Sequence, residues 1–531
     1  MIVKGVISCL FFIFFTLFSI PINAQKLNYE ISDNASKMFE LENYTRAKEL
    51  YREEYKKDLT NVKTKYHFGV CLVYTYEVDD AIKILEAIAN DNSTPIEVWY
   101  HLARAYHLSN RYDKAIATYT KYSNLNGATA KLITDCTRNI EMCNNAKTIL
   151  KTPLNIEFEN LGKKVNSKGK EYLPIITPDE NTLLYTTRRS GTTGMIYDLE
   201  GYFTADIFLS KYKYGSWSNG RSNGYPNSYG NEQIAGISEN GDFILYYVNN
   251  PLSKNNLQIS VKTKSSFKKS EMIASKEINR SESEQLSATI SNDGNYLIFS
   301  SNRVEGLGGH DLYICKKLPN GAWADPINIG KTINTSSDEI YQYLSNNGSE
   351  LYFSTQGHNS IGGYDIFKSQ FDLSSKEWLK PENIGYPLNT PDDNMSICFD
   401  ETKKYAYVGA NRNDAIGDLD IYRVNFLDVT PSFTTIKGLV IDADSNLFHQ
   451  PLTIEVFNKT TEELYGIYEV NPTKGTYLMI LPPNKYELNI EIPGKGYYKE
   501  LFVVEDRTKY KSEISRNIKV NFNPTKTTNT K

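Results

Sequence analysis

Gly308-Gly309-His310-Asp311-Leu312-Tyr313 returns 54 residues later as Gly362-Gly363-Tyr364-Asp365-Ile366-Phe367. Shorter forms of the motif stand at Asp206-Ile207-Phe208 and Asp420-Ile421-Tyr422. An internal period of this size marks a repeat architecture, in which each unit is one supersecondary element stacked on its neighbours. The surfaces of such arrays usually serve binding.

Outward from the motif, each unit adds a turn and a short apolar strand. Unit one has Thr177-Pro178-Asp179, Leu183-Leu184-Tyr185 and Trp217; unit three has Ser291-Asn292-Asp293-Gly294, Leu297-Ile298-Phe299 and Trp323. Unit four carries Asn347-Gly348 and Trp378. Unit two is degenerate, with Ser238-Glu239-Asn240-Gly241, Ile244-Leu245-Tyr246, Asn256 and Phe267. Short strands punctuated by Gly, Asn, Asp and Ser predict an all-β repeat. Unit five ends at Asp420-Ile421-Tyr422 with no Trp strand after it. Asn160-Leu161-Gly162, however, matches Asn328-Ile329-Gly330 and Asn383-Ile384-Gly385. The N-terminal strand is therefore expected to complete the last blade, closing a five-bladed propeller over residues 155–427 and removing an exposed edge.

Two recurrences within the propeller invite functional reading. Arg188, Arg303 and Arg412 precede Asp206, Asp311 and Asp420, which predicts a structural Arg–Asp pair in each blade. Glu171, Glu232, Gln285, Glu339 and Asp393 stand at the entry to each inner strand. They predict a partly acidic ring at one mouth of the channel, suited to a cation or a basic peptide, or serving only to solvate the mouth.

Before the propeller a second period runs at 34 residues. Ala35, Gly69 and Ala103 share one small position; Ala47, Ala81 and Ala115 share another, followed by Tyr51, Leu85 and Tyr119. Small residues let paired helices approach while large ones fill the next groove. An α-helical solenoid is expected over residues 25–150, with Ala128 to Leu150 as a capping helix. Its concave face would carry Tyr66, Tyr74, Tyr100, Arg104 and His107, residue types that anchor protein interfaces. Beyond the propeller, the alternation in Ile436 to Asp442, Leu452 to Val456 and Thr476 to Leu481 predicts a small β-sandwich over residues 434–508. A polar tail over 509–531 follows.

Bulk properties bound the rest. A chain of 531 residues exceeds one core, and a net charge of −4 gives no footprint for nucleic acid. Lys4, the apolar run Val6–Ile20 and Ala24 before Gln25 read as a secretory signal peptide over residues 1–24. No later stretch is apolar enough to span a bilayer. Cys71, Cys136, Cys143, Cys315 and Cys398 are scattered and odd in number, which is no disulfide framework. A shared helix would hold Cys136 and Cys143 about 10 Å apart, beyond the roughly 7 Å a disulfide tolerates.

A search for chemistry finds little. Gly236-Ile237-Ser238-Glu239-Asn240-Gly241 has the wrong spacing for a nucleophile elbow. There is no His-Glu-x-x-His, no Cys-x-x-Cys and no phosphate loop. No enzymatic activity, cofactor, metal or catalytic residue is predicted.

The helical units resemble tetratricopeptide repeats, the β units resemble TolB-type propeller blades related in shape to WD-repeat proteins, and the last module resembles the carboxypeptidase regulatory-like domain of transthyretin type. Their order is similar to that of the type IX secretion scaffold subunits of Bacteroidota. The resemblance implies a periplasmic adaptor with envelope proteins, including outer-membrane secretion components, as partners and association with the outer membrane through them. The OmpA-like domain that normally follows in that family has no counterpart here, so no peptidoglycan-binding residues carry over. The alternative is a propeller that binds a glycan or peptide in nutrient handling or wall sensing.

Overall fold

The computed structural model describes residues 34–521 apart from 199, 251–252, 265, 428–432, 460, 505–510 and 512. The expected signal peptide and the end of the polar tail lie outside the described residues.

Among the described residues seven helices come first: α1 (Ala35–Glu40), α2 (Tyr44–Lys57), α3 (Val62–Tyr74), α4 (Val78–Ile88), α5 (Val98–Leu108), α6 (Tyr112–Ser123) and α7 (Ala130–Ile149). Asn34, Asn43, Asn61 and Thr129 cap their helices by accepting from Lys37 N, Arg46 N, Thr64 N and Leu132 N. Ala47, Ala81, Ala103 and Ala115 are fully buried where helices meet. A Cβ on Gly69 would lie 2.6 Å from Leu85 Cδ2, so that contact requires the missing side chain.

The fold class nevertheless needs correction at this end. The described residues are 37% strand against 19% helix, so they are predominantly β, and no helical solenoid is evident among them. The seven helices form a layer folded down on the propeller, and their core takes in Ile361 from a propeller loop. A 34-residue period records contact between neighbouring helices; it carries no information about what covers them.

Among the described residues five antiparallel sheets make the propeller. After β1 (Ile156–Asn160), the first blade runs β2 (Glu171–Ile176), β3 (Thr182–Thr187) and β4 (Asp206–Lys213), with β5 (Ser216–Trp217) and β6 (Arg221–Ser222) both on β4. The second runs β7 (Asn231–Ile237), β8 (Phe243–Asn250), β9 (Ser253–Val261) and β10 (Glu271–Met272). The third runs β11 (Ala288–Ile290), β12 (Tyr296–Ser301), β13 (Asp311–Lys316) and β14 (Ile327–Asn328). The fourth has β15 (Glu339–Ser345), β16 (Glu350–Thr355) and β17 (Asp365–Asp372), with β18 (Glu377–Trp378) and β19 (Glu382–Asn383) on β17. The fifth has β20 (Cys398–Phe399), β21 (Tyr405–Ala410) and β22 (Asp420–Phe426), and its outer strand is β1, paired from Ile156↔Phe426 to Asn160↔Tyr422.

Along the axis the inner strands pack Leu173, Ile175, Ile234, Ile237, Tyr343 and Ile397 together, leaving a cavity of about 30 Å³. So small a void leaves the inner strands in packed contact around the axis.

The C-terminal module has two sheets around Ile436, Val440, Ile454, Val456, Met479 and Leu488. One joins β23 (Thr434–Asp442), β26 (Thr476–Leu481), β29 (Glu513–Ser515) and β30 (Ile518–Val520); the other orders β25 (Leu464–Val470), β24 (Leu452–Asn458), β27 (Asn484–Ile492) and β28 (Gly496–Val504). Both β29 and β30 lie parallel to β23 inside the stretch expected as tail. The five described cysteines, Cys71, Cys136, Cys143, Cys315 and Cys398, are buried and form no disulfide.

Candidate binding site between the helices and the propeller

The motif aspartates are structural pins. Asp311 accepts from Leu307 N at 2.6 Å, Gly308 N at 3.1 Å and Asn328 Nδ2 at 2.7 Å. Asp365 accepts from Ile361 N and Asn383 Nδ2, and Asp420 from Ile416 N and Asn160 Nδ2. Each carboxylate thus ties the loop before its strand to the Asn of the outer strand. The expected Arg–Asp pairs are replaced by other contacts. Arg188 pairs with Glu200 at 3.0 Å and with Asp198. Arg303 lies over the Tyr313 ring at 4.5 Å, and Arg412 over the Phe158 ring at 3.6 Å. At Asp311 and Asp420 the outer-strand Asn donates instead, whereas Asp206 accepts from Thr193 N and Oγ1 and keeps Oδ1 without a partner.

The predicted acidic ring is largely buried. Glu171, Glu232, Gln285 and Glu339 are 0% exposed. Glu171 accepts from Ser167 N, Ser167 Oγ and Thr187 Oγ1, and pairs with Arg189 at 2.9 Å. Glu232 and Glu339 close the same turns through Ser228 and Thr335, and Gln285 Nε2 donates to Ser283 Oγ. Burial pushes Glu339 up to about 7. In the fifth unit it is Asn394 whose Oδ1 takes the bond from Thr390 N, at 2.7 Å. Asp393 stands one residue before the equivalent position and faces elsewhere.

Its Oδ1 accepts from Tyr364 N at 3.0 Å, as Asp338 Oδ1 accepts from His310 N, and its side chain borders the space under the helices, which bond the propeller at several points. Tyr76 Oη donates to Asp392 Oδ1 at 2.5 Å, and Asn145 Nδ2 donates to Ser360 O at 3.0 Å. Arg138 Nη2 donates to the carbonyls of Gln356, Gly357 and His358. His107 Nε2–H donates to Ile361 O at 2.8 Å; burial lowers its pKa to about 4, so the ring is neutral. At His107 the expected concave face therefore meets the protein's own propeller. Tyr66, Tyr100 and His107 are buried, and Tyr74 stacks on Tyr44 with centroids 4.4 Å apart.

Between the two layers lies a cavity of about 270 Å³ lined by Tyr100, Arg104, His107, Asp135, Arg138, Asp392 and Asp393, among others. Arg104 Nε is buried with no hydrogen-bond partner, and the guanidinium lies 5.0 Å over the Tyr74 ring. Burial, reinforced by neighbouring Asp393, pushes Asp392 up to about 6. The structure thus brings Tyr100, Arg104, His107 and Asp393 to one site and leaves the other ring residues in blade turns.

Sequence reasoning missed Asp135, Arg138 and Asp392. The signal for Asp392 was present: Thr390-Pro391-Asp392-Asp393-Asn394 departs from Thr335-Ser336-Ser337-Asp338-Glu339 by gaining one acid and losing the turn-closing Glu. Among the described residues no group of three or more His, Cys, Asp or Glu is placed to hold a metal ion. No described helix is long and apolar enough to cross a membrane.

No protein-family model matches the sequence, and no curated protein matches it. Among solved structures, that of BT0996 in complex with RGII is 8% identical, covering 53% of this protein and 95% of its own length, at a TM-score of 0.37. The alpha-L-arabinofuranosidase from Lactobacillus brevis is 11% identical over 50% of this protein and 92% of its own length, at 0.30. Bacteroides ovatus xyloglucan PUL GH43B is 11% identical over 65% and 79%, at 0.26. Likenesses this distant carry no argument about a ligand.

Proposed function

We propose that this protein is a non-catalytic binding module, exported from the cytoplasm, that takes a small polar ligand of peptide or glycan class at the junction of its helices and propeller. The cavity carries the reading. A void of about 270 Å³ approaches the roughly 300 Å³ at which ligand pockets begin, and it gathers polar groups from two separate parts of the fold. Export rests on Lys4, the apolar run Val6–Ile20 and Ala24. A protein-binding role for the concave face of the helices loses its footing, because Arg138, His107 and Asn145 already bind propeller carbonyls there.

The test is ligand-dependent thermal stabilisation of the full-length protein, with panels of short peptides and neutral oligosaccharides. Saturable stabilisation by a member of either panel, lost in Asp393→Asn, is the expected result. No stabilisation by any member overturns the reading.

A further inference from the structure

We infer that the cavity selects a zwitterion, a dipeptide or single amino acid with both termini free; this rests on the binding reading above. Arg104 and the carboxylates of Asp135, Asp392 and Asp393 line one small space, yet Arg104 Nε has no partner there. Charges of opposite sign held apart in a buried space are complementary to a ligand that carries both. A guanidinium matches a carboxylate as a two-pronged donor, and paired carboxylates suit an ammonium with its three donors.

Other ligand classes fit less well. A neutral sugar hydroxyl can accept from Arg104 Nε, but it matches neither the guanidinium charge nor the paired carboxylates. Sugars also need an open aromatic face, and the Tyr100 ring already packs against His101, Tyr119 and Tyr122. A phosphate would meet three carboxylates, and a divalent cation would meet Arg104. Size agrees: about 270 Å³ lies just under the roughly 300 Å³ at which ligand pockets begin, so the occupant is small.

Isothermal titration calorimetry on the full-length protein would compare alanyl-alanine, N-acetyl-alanyl-alanine, alanyl-alanine amide and cellobiose. The free dipeptide should bind, and blocking either terminus should weaken binding tenfold or more. In Arg104→Gln the free dipeptide and its amide should bind within about twofold of each other, because the partner of the carboxylate is gone. The blocked peptides decide the matter on the unmutated protein even if that variant fails to fold. Equal binding of free and blocked dipeptides overturns the inference. Binding of cellobiose without the dipeptide overturns it while leaving the binding module standing. Heat from none of the four, together with no stabilisation in the wider panels, overturns both.

Discussion

Asn166 clasps Ile421 across 255 residues of sequence: Ile421 N donates to its Oδ1 at 2.8 Å, and its Nδ2 donates to Ile421 O at 3.1 Å. The same clasp joins Asn227 to Ile207, Asn279 to Leu257, Asn334 to Leu312 and Asn389 to Ile366, each within one unit. Only in the fifth blade does it join the two ends of the propeller. Asn166→Asp keeps the acceptor, loses the donor and sets a carboxylate against Ile421 O and Asn160 Oδ1. A buried group left unsatisfied costs about 1–3 kcal/mol, more if charged. Hydrogen exchange should rise over Ile156–Asn160, whereas Asn279→Asp should leave that strand protected. Equal protection in the two variants would deny Asn166 a closing role.

The same seam holds a buried ion pair. Arg423 on β22 donates from Nε to Glu180 Oε1 at 2.7 Å and from Nη2 to Oε2 at 2.9 Å, and Tyr407 Oη adds a third donor. Both charged side chains are 3% exposed. Removing one partner strands the other, so Glu180→Ala should cost about 3–5 kcal/mol, while the double change Glu180→Leu, Arg423→Met should recover most of it. Urea titration of the three proteins measures this. A double variant no more stable than Glu180→Ala would mean that the site tolerates no apolar pair.

Blade number and ring closure were legible because both are written in recurring residues: the Asp triplet, its Asn partner and the displaced Asn160-Leu161-Gly162. Burial of the ring was not. Strand alternation tells which side chains share a face, and Glu171 or Glu339 can enter a core once Ser or Thr groups satisfy it. Residue type alone aligns Asp393 with the ring, whereas the structural equivalent is Asn394, which keeps the hydrogen bond and discards the charge. The seating of the helices was illegible for another reason. His107 and Ile361 are 254 positions apart and meet once, so no period marks the contact. Parallel pairing of β29 and β30 with β23 is likewise a single long-range event in a polar stretch.

Buried carboxylates set a pH dependence whose sign can be worked out. Burial pushes Glu339 up to about 7 and Asp365 up to about 8, and Asp365 Oδ1 is a buried oxygen with no partner. Unfolded carboxylates titrate near 4, so above that the folded protein holds more protons and loses stability as pH rises through 7 and 8. Buried His101 and His107 are lowered to about 3 and about 4 and act in the opposite sense, but only below the unfolded value of about 6.5. The window from pH 6.5 to 8 therefore isolates the carboxylates. The urea midpoint should fall across it, and Asp365→Asn should flatten the fall. A flat midpoint would show these groups already ionised in the fold.

The helical layer should detach in steps when its anchors are removed. Arg138 spans the carbonyls of three consecutive residues, Gln356, Gly357 and His358, while Nη1 pairs with Glu141 at 2.7 Å. All three carbonyls meet one nitrogen, Nη2, while Nη1 holds Glu141; an ammonium is a single point and cannot serve the carbonyls and Glu141 together. Arg138→Ala should therefore raise exchange at Gln356 to Gly363 and along α7, with Arg138→Lys giving a smaller rise. Bonds to a charged donor contribute about 1.5–3 kcal/mol each, so the loss is large enough to separate helical unfolding from that of the propeller. Circular dichroism at a helix-sensitive wavelength, followed during heating, would then show an earlier transition than fluorescence from the propeller residues Trp217, Trp323 and Trp378, read with Trp99 on α5 changed to Phe in every protein compared. Coincident transitions in Arg138→Ala would mean that His107, Asn145 and the Tyr76–Asp392 bond hold the layer without it.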